Sequence, residues 1–83
     1  MKIRTATVYT LKVVESGRVH KWMDYEIEKQ KKVYDDTGET KTYYALYIDG
    51  DSEGEFKTLK ECRQYIKDLR DSWLENHPGE KLF

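Results

Sequence analysis

The sequence predicts an α+β domain in which a three-stranded antiparallel meander is followed by one C-terminal helix packed on one face. Three observations predict it. Turn-forming clusters punctuate the first two thirds of the chain, with β-branched and aromatic residues between them. A single helical stripe occupies the last third. The length of 83 residues suits one small core, so 1–83 is read as a single domain.

The helix is the best-defined element. Thr58-Leu59-Lys60-Glu61 reads as a capping box, with the Thr58 hydroxyl accepting from the Glu61 N–H and the Glu61 carboxylate reaching back to the Thr58 N–H. Leu59, Cys62, Ile66, Leu69 and Trp73 follow at intervals of three and four, forming one apolar stripe. Asn76-His77-Pro78-Gly79 ends it, because proline cannot continue the ladder. The expected span is about 58–75, followed by a tail over 76–83.

Upstream, Glu15-Ser16-Gly17-Arg18, Asp35-Asp36-Thr37-Gly38 and Asp49-Gly50-Asp51-Ser52-Glu53-Gly54 mark turns, which places strands at about 2–14, 19–34 and 40–49 and an acidic loop at 49–55. A helix through 18–34 is the alternative, since Val19, Trp22, Met23, Ile27, Val33 and Tyr34 also fit a helical stripe. With a two-residue turn at Ser16-Gly17, Val14 faces Val19, Thr10 faces Met23, Val8 faces Tyr25 and Ala6 faces Ile27. With a four-residue loop at 35–38, Ile27 faces Leu46 and Tyr25 faces Ile48. Both registers place Ala6, Val8, Val14, Val19, Met23, Tyr25, Ile27, Tyr44, Leu46 and Ile48 on one apolar face, beneath the helix. Lys12 and Lys21 fall on that side near its end.

The opposite face then carries Tyr9 and Leu11 from the first strand, Trp22, Asp24, Glu26 and Glu28 from the second, and Tyr43 and Tyr47 from the third. One helix cannot cover two sheet faces, and an uncovered face of mixed rings and carboxylates suits a protein partner with a basic surface. These eight residues are the candidate partner-binding set, with Tyr9, Trp22 and Tyr47 as anchors. A homodimer closed through the same face, or shielding by Leu82-Phe83, is the alternative.

Charge narrows the choice further. Residues 1–34 hold eight Lys/Arg and four Asp/Glu, 35–58 hold two and seven, and 59–83 hold five and five. The overall charge of −1 lacks the whole-domain basic field of non-specific nucleic-acid binders. A nucleic-acid site would need a local patch, for which Arg4, Lys29, Lys31 and Lys32 are the candidates. His20 and His77 belong to no metal-ligand pattern, and no phosphate-binding glycine loop occurs. Asp49, Asp51, Glu53 and Glu55 alternate with small residues but lack the spacing of a calcium loop. Cys62 sits on the helix stripe as a core thiol. No catalytic residue, metal or cofactor is expected. The chain shows neither a secretory leader nor a membrane-spanning apolar run, so the expected compartment is the cytoplasm.

The stretch Tyr44-Ala45-Leu46-Tyr47-Ile48-Asp49-Gly50, followed by Phe56-Lys57-Thr58-Leu59-Lys60-Glu61-Cys62 and Tyr65-Ile66, resembles the strand-to-helix passage of the arm-type DNA-binding domains of phage and transposon integrases. That resemblance covers about 44–69 and implies a three-stranded sheet plus helix from a phage or mobile element. In such domains the sheet carries basic and polar groups into the major groove, whereas here the equivalent face carries Asp24, Glu26 and Glu28. In its small size and acidic sheet face the chain also resembles phage-encoded inhibitors, including anti-CRISPR proteins, which implies a protein that blocks a nucleic-acid-handling target.

Overall fold

The computed structural model describes residues 5–83. The elements are β1 (Ala6–His20), β2 (Met23–Tyr34), β3 (Thr40–Ile48), β4 (Asp51–Phe56) and α1 (Leu59–Asn76). The α+β class and the C-terminal helix agree with expectation, but the sheet has four strands in the order β1-β2-β3-β4, not three. The expected acidic loop is the fourth strand. Asp49 and Gly50 both adopt positive φ, 49° and 86°, the backbone of a two-residue hairpin turn whose twist matches the flanking strands. Asp51–Phe56 therefore folds straight back onto β3. The segment 23–34 is strand, which removes the helical alternative.

The first hairpin also differs from expectation. Ser16-Gly17 is no turn: β1 runs through it and reverses at Lys21-Trp22, where the Trp22 N–H donates to His20 Nδ1 at 3.1 Å. Gly17 is there for a different reason. It lies opposite Tyr25, and a Cβ on it would sit 3.1–3.3 Å from the Tyr25 ring and hydroxyl. The glycine makes room for the ring. Consequently Ala6 faces Tyr34, Val8 faces Lys32 and Thr10 faces Gln30, in place of Ile27, Tyr25 and Met23. This slide is odd-numbered, so Ala6 and Val8 lie on the face away from the helix. Irregularities at Thr10/Lys12, Val13/Glu15 and Arg18/His20 then shift the pairing, and by residues 14–20 the strand again delivers Val14 and Val19 to the core.

The second hairpin has the expected register, with Tyr25 opposite Ile48 and Ile27 opposite Leu46. The core comprises Val19, Ile27, Leu46 and Ile48 from the sheet with Cys62 and Ile66 from the helix, flanked by Val14, Met23, Tyr25, Tyr44, Phe56, Leu59, Tyr65 and Leu69. Burial among these groups pushes the Cys62 thiol above its ordinary value. Trp73, expected in the core, instead stacks between His20 and His77 at 4.7 and 4.5 Å. The Thr58 cap accepts from the Glu61 N–H as expected, but the Glu61 carboxylate reaches the Lys57 N–H and not that of Thr58.

The molecule measures 53 × 28 × 20 Å, while an 18-residue helix is only about 27 Å long. Anchored at Arg63–Glu15 and at Arg70–Val19, the helix covers only the end of the sheet where β1 closes. Residues 6–13, 28–34 and 40–43 extend beyond it as a blade with no second layer among the described residues.

Candidate functional site

Alternation along β2 separates its charges between the two faces. Asp24, Glu26 and Glu28 point away from the helix, and Lys29 and Lys31 point to the helix side. On the open face Glu26 lies opposite Tyr47, Glu28 opposite Ala45 and Gln30 opposite Tyr43. β1 adds Val8, Thr10 and Val13, the last directly opposite Glu28.

This face is organised by its own hydrogen bonds. Gln30, buried despite being polar, donates to the Tyr47 hydroxyl at 2.9 Å and to Glu28 Oε1 at 3.2 Å. Thr10 donates to the same carboxylate oxygen at 3.1 Å. Lys32 lies over the Tyr43 ring and pairs with Glu55 at 3.4 Å. Burial raises the Tyr43 phenol above its ordinary value, with the Glu55 carboxylate adding to the effect. For Lys32 burial works against the charge, but the Glu55 carboxylate outweighs it and the ammonium is held above its usual range.

Of the expected partner-binding residues, the structure gathers Asp24, Glu26, Glu28, Tyr43 and Tyr47 on this face and separates Tyr9, Leu11 and Trp22 from it. Tyr43 is 8% exposed beneath Lys32, so it is a floor and not an anchor. Tyr9 pairs with Lys31 on the other side of the blade, the Lys31 ammonium 5.5 Å from its ring. Leu11 sits at the Thr10/Lys12 irregularity. Trp22 is exposed, but in the β1–β2 turn, edge-on to Trp73 at 5.8 Å. The tail does not shield the open face, because Phe83 lies over Arg70 of the helix.

Two contributors were missed. Val8, assigned to the core, is half exposed on this face, opposite Lys32. Asp49 closes one end of that row: its Oδ1 accepts from the Asp24 N–H at 2.9 Å, and its own N–H donates to the Asp24 carbonyl. The resulting notch is lined by Asp24, Glu26, Tyr47 and Asp49. Its signal in the sequence is the Asp-Gly dipeptide, a strong mark of a two-residue hairpin.

The candidate basic patch is divided. Lys32 belongs to the acidic face, Arg4 lies outside the described residues, and Lys29 and Lys31 share the helix-side blade with Lys12, which stands directly opposite Lys29. None of Lys12, Lys29 and Lys31 is ion-paired among the described residues. Among the described residues, no group of three or more His, Cys, Asp or Glu is placed to hold a metal ion, and no helix is long and apolar enough to cross a membrane. No protein-family profile, curated protein or solved structure matches this chain.

Proposed function

We propose that this protein is a non-catalytic interaction module whose open sheet face binds a basic surface on another protein. One observation carries the reading: Asp24, Glu26 and Glu28 recur every second residue along β2, on a face that no described element covers, beside the exposed Val13. Alternate strand residues stand about 6.6–6.8 Å apart, so the face presents a regular row of carboxylates with apolar surface next to it, Asp24 being paired at 3.6 Å with Arg18 across the strand and Glu26 and Glu28 carrying no ion pair among the described residues. Such a row complements arginine and lysine and repels polyanions. Its specific form is a mobile-element inhibitor that occupies the nucleic-acid channel of its target, with carboxylates standing where phosphates would bind.

The test is recovery of a nucleic-acid-binding protein from host lysate by the wild type and by Glu26→Lys. The expected partner is displaced by added duplex DNA and is absent with Glu26→Lys. A partner recovered equally by both, or unaffected by DNA, overturns the reading.

A second reading, nucleic-acid binding through the other side of the blade, rests on the like-charge pair Lys12–Lys29 with Lys31 and Tyr9 beside it. Opposed lysines destabilise a sheet unless an anion lies between them. Anisotropy of a labelled duplex separates the two readings. Three phosphate contacts predict a log–log salt slope of about −2.7, whereas the protein-binding reading predicts no binding at low salt.

A further inference from the structure

The outer edge of β1 has two stretches of different character. From Glu15 to His20 the helix closes it: Arg70 donates to the Arg18 and Val19 carbonyls at 2.6 and 3.0 Å, and Arg63 holds the Glu15 carboxylate. From Ala6 to Val13 no described element runs beside it, because β1 is outermost in the sheet. Since the first irregularity falls between Thr10 and Lys12, Ala6–Thr10 is regular strand. Its sequence, Ala-Thr-Val-Tyr-Thr, has no charge, no proline and no glycine, and is mostly β-branched or aromatic. Val8 and Tyr9 are 51% and 50% exposed. An edge of this kind presents unpaired backbone N–H and C=O groups to any strand that can lie against it.

We infer that Ala6–Thr10 pairs antiparallel with the same segment of a second copy of this chain, across a two-fold axis at Val8, joining two four-stranded sheets into one of eight strands. Three observations select a second copy over a foreign strand. A chargeless edge offers no pattern by which a particular foreign strand would be chosen. The segment is compatible with itself: Val8 meets Val8, Thr7 meets Tyr9 and Ala6 meets Thr10, so no like charges oppose each other. Partners in an antiparallel pair also share a face, so both helices fall on one side of the joined sheet and both acidic rows on the other, and pairing buries none of Asp24, Glu26 and Glu28. The inference does not depend on what the acidic row binds, and its test uses the protein alone.

Val8 and Val13 make a matched pair for that test. Both are half-exposed valines on the open side of β1, but only Val8 lies in the regular stretch. Sedimentation equilibrium from micromolar to hundreds of micromolar concentration should show a reversible dimer. Val8→Glu, which opposes two carboxylates across the interface, should weaken it about tenfold or more, and Val13→Lys should leave it unchanged; each new charge meets an opposite one in its own sheet, Lys32 and Glu28 respectively. Val8→Cys should form a disulfide-linked dimer under mild oxidation, because directly paired strand residues have Cα atoms about 4.5–5.5 Å apart, within disulfide reach; Val13→Cys should not. Far-UV circular dichroism establishes that each variant is folded. A wild type that stays monomeric throughout, or a dimer weakened equally by Val8→Glu and Val13→Lys, overturns the inference.

Discussion

The two ends of this sheet are built from the same strands but held by different forces. At the closed end, Val19, Ile27 and Leu46 are fully buried against Cys62 and Ile66 of the helix. In the blade, Val8, Tyr9, Leu11 and Val13 remain about half exposed, and stability there rests on the backbone ladder and on polar groups lying across it. The difference teaches that apolar residues in a strand do not by themselves show where the core is. Position relative to one short helix decides which valines are packed and which are left to meet something else.

Truncating Leu46 should show this contrast most strongly. Leu46→Ala leaves a cavity at the sheet–helix contact and should cost about 2–5 kcal/mol in urea unfolding, whereas Val13→Ala should stay within about 0.5 kcal/mol. Comparable losses at the two sites would mean that the blade is packed after all. Gly17→Ala is expected to be the next largest, at about 1–3 kcal/mol, because the added methyl must displace a Tyr25 ring whose hydroxyl is held by Glu15 at 3.0 Å. Recovery in the Gly17→Ala, Tyr25→Leu double variant would locate the cost in that contact. Thr58→Ala removes the cap from the helix that closes one end and should cost about 1 kcal/mol, read in the same unfolding experiment.

The smallest expected effect is a pH dependence confined to the closed end. The Arg63 guanidinium, with help from the Tyr25 hydroxyl, holds the Glu15 carboxyl below its ordinary value of 4.5 despite partial burial. A carboxyl with a depressed folded-state pKa contributes stability that is present above the unfolded value and is lost as pH falls through the folded one. Stability should therefore decline as acid is added below about pH 4.5, and Glu15→Gln should flatten that part of the profile. An unchanged slope would mean that the pair contributes nothing to holding β1 against the helix.

Much of the second half of the chain was legible in the sequence because its signals are local. Thr58 and Glu61 set the helix start, and the loop at 35–38 set the β2–β3 register, so Tyr25, Ile27, Leu46 and Ile48 could be assigned to the core. The same reasoning placed Asp24, Glu26 and Glu28 together on the opposite face. β4 was missed: the Asp49-Gly50 turn marked its start, but its carboxylates suggested a solvated loop. The first hairpin was not legible. Gly17 carries the same letter whether it supplies a turn or clears space for a ring, and only the presence of Tyr25 across the sheet distinguishes the two. Trp22 was lost from the site by the same error, since moving the turn to Lys21-Trp22 took that ring off the face.

Local chemistry alone determined the capped helix, the β2–β3 register and the charge alternation along β2, because each depends on residues near in sequence and on a strict period of two or of 3.6. The fold decided the register of β1, the irregularities that turn its side chains from one face to the other, and which part of the sheet the helix leaves bare. Those features depend on pairings between residues far apart along the chain, where many registers satisfy the hydrophobic pattern almost equally well and the packing of particular side chains, here Tyr25 over Gly17, selects among them.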